Sequence, residues 1–168
     1  MKITPLHVVV LAVSLLVTPA HAADDHPDIR AVVESFRTSI IEKDRDRFLD
    51  LFVQPDVPWQ RVLDDKSLAQ IQVRKPEAVK ARFDANNTPV KFIEGIVASK
   101  NASEETFDNI RIDTDGEVAT LTFDYAFLSN GEKTNWGKEC WLMVRMPSGW
   151  KITSLVYSIT IPPPKVAG

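Results

Sequence analysis

Histidine is scarce in this 168-residue chain, and its placement matters more than its number. The three histidines are His7, His21 and His26, so the chain has none beyond residue 26. That excludes most histidine-based acid–base and metal chemistry from the body of the protein. The single cysteine, Cys140, excludes an intramolecular disulfide. Its place between Glu139 and Trp141 in a strand-like run predicts a buried, inert thiol. No Lys/Arg cluster appears and the formal net charge is −3, which argues against nucleic acid as the main partner. No EF-hand-like spacing, Gly-x-Ser-x-Gly elbow or internal repeat is visible, so neither a metal nor another cofactor is expected. Asp24-Asp25, Asp64-Asp65 and Asp113–Asp115 are read as solvated turns.

No apolar run reaches the roughly 20 residues of a membrane span. The longest, Leu6 to Val17, follows Lys2 and precedes Ala20-His21-Ala22. This is the pattern of a secretory signal peptide cut after Ala22. The expected organisation is therefore a signal peptide over 1–22, one domain over 23–161 and a Pro-rich tail over 162–168. The expected location is the periplasm or the exterior.

Helical signals come first in the domain. Ile29, Val32, Val33, Phe36 and Ile40 recur at helical spacing, predicting a helix from Pro27 to Glu42. Asp44 is placed to cap a short second helix carrying Phe48. Val57 to Leu63 reads as a short extended segment, and Pro76 opens a predicted helix through Phe83. The pattern then turns to period two. Strands are predicted over Val90–Ser99, Glu104–Asp113, Glu117–Leu128, Thr134–Met146 and Trp150–Ile161, joined by short turns as an antiparallel meander. Helices followed by long strands make an α+β layout. The helices are expected to cover one concave face. The opposite face carries enough apolar residues to suggest a homodimer through the sheet.

Three segments, in this order, resemble the nuclear transport factor 2-like superfamily. They are the helix running into Lys43–Phe52, the strand entry Asp115–Leu121, and the last strand Gly149-Trp150-Lys151-Ile152 with Ser158 six residues beyond Ile152. The resemblance is to the SnoaL-like branch, which includes ketosteroid isomerases. It implies a cone: a strongly curved antiparallel sheet with the N-terminal helices on its concave face and a pocket at the open end. Catalytic members often carry histidines on the last strand. Here the matching positions are Ser154 and Val156, and only Ser158 keeps the pattern.

The resemblance therefore leaves several functions open. One is a non-enzymatic domain binding a small apolar ligand or a protein partner in the cone. Another is an isomerase-, cyclase- or hydrolase-like enzyme using Asp124 or Glu139 as its carboxylate. A third is a structural dimerisation module. Trp59, Tyr125, Trp136, Ser154 and Ser158 are the expected ligand-binding residues. Ser154 and Ser158 are placed on one face with Ile152 and Val156, the face that the resemblance turns toward the pocket. Adjacent strand residues point oppositely, so Asp124 and Tyr125 cannot enter one pocket together.

Overall fold

The computed structural model describes residues 26–164. The expected signal peptide and its cleavage site lie outside those residues. The first helix, α1 (Pro27–Glu42), opens with proline at a position that needs no N–H donor. Its buried residues Ile29, Val33, Phe36 and Ile40 form one stripe. Asp28 in its first turn accepts a 2.8 Å hydrogen bond from the Trp150 indole, 122 residues away, and so ties the helix to the sheet. Lys43 ends α1 in the left-handed region, and Asp44 caps α2 (Arg45–Leu49) by accepting from the Arg47 N–H.

The sheet has five strands: β1 (Trp59–Leu63), β2 (Ser103–Thr114), β3 (Val118–Ser129), β4 (Glu132–Met146) and β5 (Gly149–Ile159). Their spatial order is β1-β5-β4-β3-β2. The last four form the expected antiparallel meander, while β1 joins the outer edge of β5 in parallel. The sheet is thus mixed, because the chain returns from the helices before the meander begins.

Two further helices depart from the expected order. Asp64-Asp65, read as a solvated turn, instead opens α3 (Asp65–Gln72), which Asp64 caps by accepting from the Ser67 N–H at 2.6 Å. The stretch read as a strand over Val90–Ser99 is α4 (Pro89–Ala98). Its β-branched residues suggest a strand, but its buried Pro89, Ile93 and Ile96 lie at helical spacing. Thr88 caps it, and Pro89 occupies the first turn. No helix forms over Pro76–Phe83. Val79 and Phe83 are exposed there and find no surface to cover, and a short helix without tertiary packing is unstable. This segment instead lies along the free edge of β1, where Lys80 accepts from the Leu63 N–H at 2.8 Å.

Three irregularities bend the sheet. They fall at Asp108–Arg111, at the β3–β4 step around Thr134, and at Thr153 between Ile152 and Ser154. Bulges kink a strand and increase its twist, which curves the sheet around α1. The concave space is filled largely by aromatic rings. Phe36 is fully buried, with ring centroids of Phe48 at 4.8 Å, Trp141 at 4.9 Å and Phe107 at 5.9 Å. Cys140 is exposed on the convex face, contrary to expectation, because its neighbours Glu139 and Trp141 both take the inward direction.

Phe36 is the ring through which α1, α2 and the sheet meet. Phe36→Ala is expected to cost about 3–5 kcal/mol, read as a lowered midpoint in urea unfolding. A loss below about 1 kcal/mol would mean that the cone does not close around this ring.

Candidate functional site: a cavity with two buried carboxyls

The aromatic fill stops short of one end of the cone, leaving a cavity of about 140 Å³ to which all five strands and α4 contribute. Trp59, Glu105, Tyr125 and Glu139 are buried in its walls. Phe92, Phe127, Asn135, Tyr157 and Ile159 are half-buried around it. An apolar cavity of about 150 Å³ accepts benzene, so this one suits a ligand of that size.

Strand parity brings the two carboxyls together. Glu139 stands opposite Phe123 and Tyr157 in register, and Glu105 stands opposite Phe127. All belong to the inward set. Glu139 is 2% exposed, and Glu105 is 3% exposed. The Trp141 indole donates a 2.7 Å hydrogen bond to Glu139 Oε2. Glu105 receives no such bond among the described residues. Burial disfavours the charged form of each acid. It pushes Glu139 up to about 8, against the opposing pull of the Trp141 N–H. Burial, reinforced by Glu139, holds Glu105 well above the ordinary carboxyl range. Two such acids titrate as a pair. The Trp141 indole favours the charged form at Glu139, and Glu105 has no such support.

Tyrosines complete the polar lining. The Tyr125 hydroxyl lies 3.0 Å from the Ser158 carbonyl oxygen and 3.1 Å from Asn135 Oδ1, and its single proton serves these acceptors. Burial, then the Glu139 and Glu105 charges, raise its pKa. Gly137 faces Tyr125 across β3 and β4, and a Cβ there would run into the Ser158 carbonyl. Glycine allows this close approach. Tyr157 is also raised, chiefly by burial, while the Arg61 charge acts the other way.

The sequence-derived candidates separate cleanly in space. Trp59, Tyr125 and Glu139 meet in the cavity. Asp124 does not: its side chain is 46% exposed, pairs with Lys138 at 2.7 Å and accepts from Asn109 at 2.8 Å. The hydrogen bond from Lys138 is the largest cause of its lowered pKa, followed by that from Asn109. Trp136 has the opposite parity to Glu139 and Trp141, and lies outside the cavity under the Lys133 ammonium, 5.2 Å from its ring centre. Ser154 and Ser158 are likewise displaced from it. The extra residue Thr153 reverses strand parity, so Ile152, Leu155 and Tyr157 share the inside. Ser154, Val156 and Ser158 then face outward, and Ser158 Oγ accepts from the Lys138 N–H at 3.0 Å. Glu105 escapes a sequence reading because it sits beside half-buried, Arg37-paired Glu104 in an acidic-looking strand start. Its alternation with Ser103 and Phe107 is the one available signal.

The raised Glu139 pKa has a thermodynamic consequence. Between about pH 4.5 and 8 the folded state holds a proton that the unfolded state releases, so stability falls as pH rises through that window. Glu139→Gln is therefore expected to melt above the parent protein at pH 9 and close to it at pH 5. Equal melting temperatures at pH 9 would show that Glu139 ionises there without penalty.

Among the described residues, no three His, Cys, Asp or Glu side chains converge to hold a metal ion. No helix among them is long and apolar enough to cross a membrane. No family model and no curated protein matches the chain. Solved structures do match. A cystatin-like protein of unknown function from Nostoc punctiforme is 12% identical, over 81% of this chain and 91% of its own, with a TM-score of 0.55. A nuclear transport factor 2-like superfamily protein from Salmonella enterica is 16% identical, over 84% and 94%, with a TM-score of 0.53. A candidate scytalone dehydratase from Novosphingobium aromaticivorans is 14% identical, over 84% and 93%, with a TM-score of 0.57. At these identities the likeness concerns architecture, and in architecture this chain has the cystatin-like fold of the nuclear transport factor 2-like proteins.

Proposed function

We propose that the cavity is an acid–base site for a small molecule, with Glu139 as the group that exchanges a proton with it. The observation that carries this reading is a pair of inward carboxyls, 2% and 3% exposed, in the wall of one cavity, with the Trp141 indole donating to Glu139 alone; burial raises both, Glu139 to about 8. A general base works best with a pKa close to the working pH. Paired acids pushed to different pKa values divide the roles of base and hydrogen-bond donor. Glu105 is the donor in this scheme, and Tyr125 holds the wall in place. A purely apolar ligand would not require two carboxyls in its cavity, which favours the enzymatic alternative over simple carriage. The candidate scytalone dehydratase shares the fold and, by its name, performs chemistry on a small molecule.

The test is exchange of carbon-bound protons with deuterated water, followed by proton NMR over a panel of small ketones, enones and amines. One chemical class is expected to exchange faster with the protein, with a rate that, at substrate far below saturation, rises through about pH 8. Glu139→Gln is expected to lose about 10²–10⁴-fold of that rate while still binding. Binding without exchange in every class would make the protein a carrier.

The domain is also proposed to act after export, as a homodimer through its convex face. Leu6–Ala22 supports the first, and exposed Val118, Leu142 and Val156 support the second. Native mass spectrometry of protein taken from its host's envelope should read two copies, each beginning at Ala23. A monomer, or a chain retaining its first residues, would overturn the corresponding half.

A further inference from the structure

The two carboxyls share a cavity that contains no basic side chain. Its nine lining residues include Glu105 and Glu139 but no Lys, Arg or His. Arg61 acts on Tyr157 from the neighbouring groove, yet makes no ion pair with either acid. Buried acids are ordinarily paired with a cation or forced neutral. Glu105 is 3% exposed and takes no hydrogen bond from a described side chain; no buried side-chain oxygen among the described residues is left without a partner, so its carboxyl oxygens open onto the cavity.

The remaining walls are largely aromatic, and three of their ring pairs meet nearly edge to face while Trp59 and Phe92 lie 31° apart. Trp59 and Tyr157 meet at 79°, Tyr125 and Tyr157 at 75°, and Phe92 and Phe127 at 71°. Ring faces carry negative charge density and attract cations, most strongly where water is excluded. An anion would make ionisation of either acid costlier still. A neutral molecule would take a hydrogen bond from a protonated carboxyl but leave unmatched the charge that Glu139 carries once it loses its proton. A cation satisfies both the rings and the carboxyls.

We infer that the ligand of this cavity is a small organic cation, an amine or quaternary ammonium of about six or seven non-hydrogen atoms by comparison with benzene in a cavity of this size. This rests on the acid–base reading and deepens it. The arriving positive charge favours loss of a proton at Glu139, the acid that Trp141 already supports in its charged form. The substrate would thereby create its own base at neutral pH, with Glu105 remaining protonated.

Choline and 3,3-dimethylbutan-1-ol form a matched pair of nearly equal shape, one charged and one neutral. Titration calorimetry of the full mature chain at pH 7 is expected to show choline binding at least tenfold more tightly. Repeating the titration in phosphate and in Tris is expected to reveal release of about one proton per choline, because the observed heat then depends on the buffer. Glu139→Gln should lose at least tenfold in choline affinity, abolish the proton release and leave the alcohol unaffected. Glu105→Gln should keep the proton release. Equal affinity for the two compounds, no binding of either at millimolar concentration, or an undiminished choline preference in Glu139→Gln would overturn the cation assignment. The acid–base reading falls separately, if no class of compound exchanges its carbon-bound protons.

Discussion

The packing of Phe36 into the curve of the sheet is the constraint on which the rest of the molecule depends. One ring contacts α1's neighbour Phe48, the β4 residue Trp141 and the β2 residue Phe107. It therefore fixes how deeply the helix enters the cone. Asp28 fixes the helix at a second point through Trp150. Between them these contacts decide where the fill ends. Trp59 and Phe92 pack against Phe36 on one side and line the cavity on the other. The cavity is what remains of the concave space after the core has used its share, and its walls are as rigid as the core to which they belong.

Much of this was legible before any coordinates. The buried stripe of α1, the cap at Asp44 and the four-strand meander follow from periodicity and turn chemistry. The losses have specific physical causes. Over Pro89–Ala98, residue type competes with spacing, and spacing wins because Pro89, Ile93 and Ile96 face the core together. Over Pro76–Phe83, spacing has no surface to act upon. The parallel pairing of β1 with β5 joins segments almost a hundred residues apart, and no local signal encodes it.

The site shows how one inserted residue can redirect a correct pattern. Read with unbroken alternation, β5 places Ser154 and Ser158 with Ile152. Thr153 adds one residue between the inward positions Ile152 and Leu155, and every later side chain changes face. Parity is read reliably only between irregularities. It succeeds in β3, where Tyr125 faces in and Asp124 faces out, and in β4 from Glu139 to Met143. Glu105 lies in such a regular stretch as well, but a charged side chain in an inward position contradicts the usual cost of burial. A sequence reading passes over it for that reason.

That overlooked residue changes the meaning of the missing histidines. An imidazole suits neutral-pH proton transfer because its ordinary pKa is near the working pH. The same value is available to a carboxyl if its charged form is made expensive enough. Here burial raises both acids, and the Trp141 indole restores part of the difference at one of them. The cone thus builds from two glutamates and a tryptophan what a histidine would bring unaided, and stability is what it gives up. Glu139 opposes folding increasingly as pH rises toward 8, and within the protein its one return is the hydrogen bond that the buried Trp141 indole donates to it. Its place in the interior, beside a second buried acid and without a cation from the cavity walls, is the reason to look for function in this cavity rather than among the ion-paired charges on the surface.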